Sequence, residues 1–146
     1  MQRFFVWGVW AVLDRAARQK SVSLTSQNMA AAGLTSTTDA WGALDDFIAF
    51  QDARAAGEMH YRVSFMPFGG TDVYEGLKLA RMASGFGDDM LRIGAVKFAA
   101  DGSASERTMS RSTPYEGRPD DYGILTMTQD EIYAAVDDAV AHDFRV

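Results

Sequence analysis

The sequence predicts an α/β fold. Short β-type runs alternate with helical patterns of two to four turns, and turn residues close most of these segments. Strands joined through intervening helices must lie parallel, connected by right-handed crossovers. The predicted order is α-β-α-β-α-β-loop-α-β, which defines the α/β class.

The elements follow in order. Residues 4–13 are apolar and follow Arg3, so they superficially resemble the apolar region of a secretory leader. Asp14, Arg15, Arg18 and Lys20 come next, and the only small-x-small site nearby is Ser21-Val22-Ser23. The stretch therefore reads as an apolar helix packed on the rest of the protein. A helix ends in Ala30-Ala31-Ala32 at Gly33, and residues 34–38 (L-T-S-T-T) form the first strand. Residues 43–56 follow as a helix with Leu44, Phe47 and Ile48 on one face and Gly57 past its end. Residues 61–65 (Y-R-V-S-F) are the second strand, closed by Pro67 and Gly69-Gly70. Thr71 caps a helix reaching about Ser84, with Val73, Leu77 and Ala80 in a stripe. The third strand is 92–99 (R-I-G-A-V-K-F-A). Thr128-Gln129-Asp130-Glu131 is a capping box. It opens a helix whose Ile132, Ala135, Val136, Ala139 and Val140 define a buried face. Residues 144–146 begin another strand.

Two architectures fit this order. Length suits a small doubly wound sheet of flavodoxin type, whereas a (β/α)8 barrel normally needs about 250 residues. An ending three residues into a strand favours a piece of a barrel.

Composition narrows the function classes. The 146 residues are 47% hydrophobic, enough for a sizeable core, and contain no Cys, which excludes disulfides, thiol chemistry and Cys-ligated metal. The formal charge of -6 argues against a general nucleic-acid or anionic-membrane binder. No apolar run is long enough to span a bilayer. With no convincing leader, a cytoplasmic location is expected.

Candidate chemistry is sparse. His60 and His142 each stand just before a predicted strand, at the stability face of parallel α/β folds. Lys97 stands inside the third strand, and alternation places it on one face with Ile93, Ala95 and Ala99, with Val96 and Phe98 opposite. A desolvated amine there could form a Schiff base or, with carbon dioxide, a metal-binding carbamate. Pairing with a carboxylate such as Asp101, or snorkelling to solvent, is the structural alternative. Residues 100–127 form an irregular connection far longer than usual, leaving the strand end where α/β folds bind ligands, so they are a candidate lid or binding loop. Of the acidic pairs, only Asp120-Asp121 lies in that loop. Neither G-x-G-x-x-G nor G-x-x-x-x-G-K-[ST] is present.

Three segments carry a family resemblance: G-L-T-S-T-T-D-A (33–40), V-K-F-A-A-D-G-S (96–103) and P-Y-E-G-R-P-D-D-Y-G-I-L-T-M-T-Q-D-E-I (114–132). In this order the chain resembles metal-dependent amidohydrolases, in particular the amidohydrolase family 3 branch that includes N-substituted formamide deformylase-like proteins. The resemblance implies a (β/α)8 TIM barrel of which residues 1–146 supply roughly strands 2 to 5. Lys97 matches the family's strand-four lysine, often carboxylated, which supports a site of one or two divalent metal ions, with zinc the expected ion. Asp101, Gly102 and Ser103 match the turn after it and are expected to shape the loop or approach substrate, with Asp120 and Asp121 also substrate-proximal. The implied reaction is hydrolysis of a non-peptide C–N bond, amide or formamide type, in a small molecule. The family's H-x-H, its strand-five and strand-six histidines and its strand-eight aspartate have no counterpart here. The chain is therefore expected to be the inactive central fragment of a longer enzyme, which could form a homo-oligomer. A complete flavodoxin-like binding or signalling module is the alternative.

Overall fold

The structure, a computed structural model, describes residues 13–146; the predicted apolar helix over 4–13 thus lies outside the described residues except for Leu13. The described elements are α1 (Arg15–Ala31), β1 (Ser36–Gly42), α2 (Leu44–Ala55), β2 (Arg62–Pro67), α3 (Asp72–Ala80), β3 (Leu91–Ile93) and α4 (Gln129–Ala141). The strands form a sheet in the order β1-β2-β3, parallel at both junctions. A parallel bridge from Ala95 to Arg145 adds the short segment that the sequence predicts after α4. The α/β class and the alternation hold. No described helix is long and apolar enough to cross a membrane.

Capping begins α1, where the Asp14 carboxylate accepts from the Ala17 N–H at 2.8 Å. This helix packs on α2 with ion pairs from Arg15 to Asp52 and from Arg18 to Asp45. Ser26, fully buried in α1, accepts the His60 N–H at 2.5 Å, tying the helix to the entry of β2.

Several boundaries differ from the sequence expectation for identifiable reasons. β1 starts two residues later and reaches Gly42, because its ladder with β2 continues to Gly42 and Pro67. Pro67 therefore belongs to β2: it lacks an N–H, but its carbonyl accepts the Lys97 N–H at 2.8 Å. Helix α2 buries Ala49 and Ala53 while Leu44 is exposed. Thr71 does not cap α3 through its side chain, since its hydroxyl donates to the Phe68 carbonyl at 2.6 Å. α3 ends at Ala80, where Arg81 turns left-handed (φ 55), so the predicted extension to Ser84 is absent and Ala80 is exposed. The Thr128–Glu131 capping box is formed as predicted, with the Glu131 N–H donating to the Thr128 hydroxyl at 3.3 Å. Of the stripe on α4, however, only Ala139 is fully buried, while Val136 and Val140 are exposed.

One core cluster lies on one side of the sheet. It unites Val63, Phe65, Leu91, Ile93 and Val96 with Ala53 of α2, Val73, Tyr74 and Leu77 of α3, Ala139 of α4, and Phe144. Aromatic contacts link its parts: Phe47 lies 4.7 Å from Phe65, and Tyr74 meets Phe98 and Phe144 edge-on. Burying one such side chain stabilises by about 1.5–3 kcal/mol. The opposite face, including Thr38, Ala40, Ser64, Met66, Phe68 and Arg92, is half-buried or exposed.

The third strand is the main correction. Its regular part covers only Leu91–Ile93, after which single bridges hold Ala95 and Lys97. Phe65 pairs with Ile93, but Phe68 pairs with Lys97, so four steps along this segment match three along β2. That extra residue reverses the alternation. Ile93 joins the helix-side core, and Lys97 comes to the other face rather than sharing one with Ile93 as predicted. The slip falls near Gly94, where a Cβ would stand 2.3 Å from the Ser64 hydroxyl.

Candidate functional site

The C-terminal ends of the parallel strands carry the candidate site. Lys97 lies there at its bridge to Phe68, with the Gly69 N–H donating to its carbonyl at 2.9 Å. Its side chain is half-buried rather than desolvated inside the sheet. The alternative pairing with Asp101 is not formed. Among the described residues the Lys97 ammonium has no hydrogen-bond or ion-pair partner, while the Asp101 carboxylate accepts the Ser110 N–H at 2.9 Å.

β1 brings a second group to the same strand end. Between Ala40, paired with Met66, and Gly42, paired with Pro67, Trp41 is the extra residue of a bulge. Its φ of 120° is unfavourable for a bulky side chain, a strain of roughly 1–3 kcal/mol. Its indole stacks on Phe68 with centroids 3.9 Å apart and planes 13° from parallel. The ends of three neighbouring strand segments therefore present Trp41, Phe68 and Lys97 in a row. The sequence expectation ends the first strand at residue 38 and the second at 65, which leaves Trp41 and Phe68 outside both; the Trp-Gly pair soon after T-T-D is the local signal for the first.

The connection 100–127 is irregular but bonded throughout. The Thr126 N–H and hydroxyl donate to the Ala100 and Ala99 carbonyls at 3.0 and 2.5 Å, closing its ends. Inside, Asp101 bridges to Leu125, the Gly102 N–H donates to Ile124, and the Ile124 N–H donates to Thr108. The connection is thus an irregular lobe whose two ends are joined by backbone and side-chain hydrogen bonds.

The lobe uses most of the predicted substrate-proximal residues for its own shape. A Cβ on Gly102 would stand 2.2 Å from the Thr108 carbonyl oxygen. The Ser103 hydroxyl lies 2.8 Å from that of Ser105 and accepts the Glu106 N–H at 3.3 Å. Asp121 accepts from the Gly123 N–H and from Arg118, which together hold its pKa below the ordinary carboxylate value. Asp120 is exposed. No hydrogen bond or ion pair joins Asp101, Ser103, Asp120 or Asp121 to Lys97 among the described residues.

Both histidines stand apart from this row. His60 is exposed at the entry to β2, and His142, at the end of α4, places Nδ1 2.7 Å from the Asp138 carbonyl. Among the described residues no group of three or more His, Asp or Glu side chains could hold a metal ion.

A three-strand parallel sheet with helices on one face, and Trp41, Phe68 and Lys97 at its C-terminal strand ends, defines the class as an α/β domain. The chain belongs to the amidohydrolase family, whose model matches residues 6–146. Two solved structures share its fold. An uncharacterized metal-dependent hydrolase from Pyrococcus horikoshii OT3 superposes with a TM-score of 0.83 at 21% identity, over 92% of this chain and 27% of that one. An uncharacterized metal-dependent hydrolase from Pyrococcus furiosus gives 0.82 at 22% identity, over 92% and 28%. The chain thus spans little more than a quarter of either structure. No curated protein matches it.

Proposed function

We propose that residues 1–146 form the strand-two-to-five part of a (β/α)8 barrel in a metal-dependent hydrolase that cleaves amide- or formamide-type C–N bonds of small molecules. Support for the barrel comes from the one-sided packing of α2, α3 and α4. A doubly wound module of flavodoxin type would carry helices on both faces of its sheet.

The observation that carries the functional reading is Lys97: half-buried, without a carboxylate partner among the described residues, at the strand ends where such folds place their chemistry. As a cation Lys97 repels a metal, and the described carboxylates do not cluster into a site of their own. It fits a metal site only as a carbamate. The unprotonated amine attacks carbon dioxide, the N–C bond forms, the displaced electron pair goes to oxygen, and the amine proton leaves to solvent. The product is an anion with two oxygen donors on a strand-fixed stem, able to join ligands from other parts of the enzyme around one or two divalent ions, zinc the expected one. Such ions supply an activated water and polarise the scissile carbonyl when bound.

Replacing Lys97 tests this. Lys97→Ala in the whole enzyme should lose bound metal, read by elemental analysis, and lower kcat/KM by at least about a hundredfold. Metal content and activity near those of the unchanged enzyme would overturn the assignment.

A further inference from the structure

The reading above leaves Trp41 and Phe68 unused. The core does not need Trp41: it is outside the buried cluster and 38% exposed. The backbone does not favour it either, since φ 120° suits glycine and strains tryptophan. Strain of this kind persists where the surrounding structure holds it, and the ladder on either side of the bulge does so here. What the bulge achieves is to set the indole parallel to Phe68, itself bridged to Lys97.

We propose that the Trp41–Phe68 stack is a specificity surface that receives a flat, apolar ring of the substrate and brings its amide group beside Lys97. This rests on the hydrolase reading for the identity of the amide, but the recognition of a ring rests on the stack alone. Two nearly parallel rings with an exposed member offer a further ring the same stacked contact they make with each other. An aliphatic substituent gains only contact area there, so the discrimination should favour aromatic amides over aliphatic ones of the same chemistry.

Saturation-transfer NMR with benzamide and acetamide on the whole enzyme tests the surface without requiring turnover. Wild type should transfer saturation to the benzamide ring and little to acetamide. Trp41→Gly, which relieves the backbone, and Trp41→Ala should lose the benzamide signal while keeping the wild-type circular dichroism. Trp41→Phe should keep it. In turnover, kcat/KM for 4-nitroacetanilide relative to N-methylacetamide should fall roughly tenfold or more in Trp41→Gly. If wild type hydrolyses neither amide but the benzamide signal still depends on residue 41, the hydrolase reading fails and the ring site stands. Equal benzamide binding by wild type and folded Trp41→Gly, or none by wild type, overturns the proposal.

Discussion

Asp39 places a carboxylate on the packed side of the sheet. Its β1 position pairs with Phe65, on the side where Phe47 and Phe50 of α2 pack. Burial raises its pKa, and the negative charge of Asp46 in the first turn of α2 raises it further. Burial and Asp39 likewise raise the pKa of the Tyr61 hydroxyl. Because the folded-state pKa of Asp39 lies above its unfolded value, the ionised group destabilises the fold at neutral pH. That penalty fades as pH falls through the raised pKa toward the unfolded one. Asp39→Asn should therefore raise the melting temperature at pH 7, with the gain disappearing in acid, where the wild-type residue is already neutral. A lower melting temperature for the variant at pH 7 would mean that the carboxylate makes a net favourable interaction.

The lobe after β3 is an element without repetitive structure, held by backbone hydrogen bonds together with side chains that close turns. Asp101 is the clearest case, since its carboxylate accepts from Ser110, nine positions along the lobe. Asp101→Ala should cost about 1 kcal/mol locally and speed hydrogen exchange at Ser110 and its neighbours, while leaving exchange in α4 unchanged. Unaltered exchange at Ser110 would show that the backbone holds the lobe alone. Sequence reasoning could place this lobe between β3 and α4 because both borders have local signals: loss of periodicity before it and the Thr128–Glu131 capping box after it. It sets Lys97 inside a continuous strand over 92–99, whereas the regular pairing ends at Ile93 and a single bridge holds Lys97. It could not place Lys97 on its face, because the slip at Gly94 is set by pairing with β2, a tertiary event with no mark in the alternation of residues 92–99. Trp41 escaped for a related reason: Thr37 and Thr38 look like the end of a strand until the partner strand is known to run to Pro67. The exposed Val136 and Val140 show the converse limit. Periodicity identifies an apolar stripe but not how far the neighbouring elements cover it.

Among the described residues, the carboxylates whose pKa is lowered, Asp52, Asp121, Glu131 and Asp138, each favour the fold at neutral rather than acid pH, against Asp39. Asp138 has the widest reach of them. Its carboxylate on α4 accepts from Lys78 at 2.9 Å and from the Tyr74 hydroxyl at 2.8 Å, both on α3, joining the helices on either side of β3 and the lobe. The bond from Lys78 is the largest influence lowering its pKa, followed by that from Tyr74. Burial, followed by the bond to Asp138, raises the pKa of Tyr74, while Lys78 is raised because its bonds to Asp138 and Glu75 outweigh the opposing effect of burial. Asp52, lowered by its bond from Arg15, lies in an exposed pair and should contribute little. A carboxylate with a lowered folded-state pKa contributes stability that is present above its unfolded pKa and is lost as pH falls through the folded one. The melting temperature should accordingly fall as pH is taken from 7 through the carboxylate range. Asp138→Asn should cost roughly 1 kcal/mol or somewhat more at pH 7, since the site is only partly buried, and should flatten that fall, whereas Asp52→Asn should leave it nearly intact. Parallel pH profiles for wild type and Asp138→Asn would show that the link between α3 and α4 does not depend on this charge, and that packing of Tyr74 against Phe98 and Phe144 holds the two helices together instead.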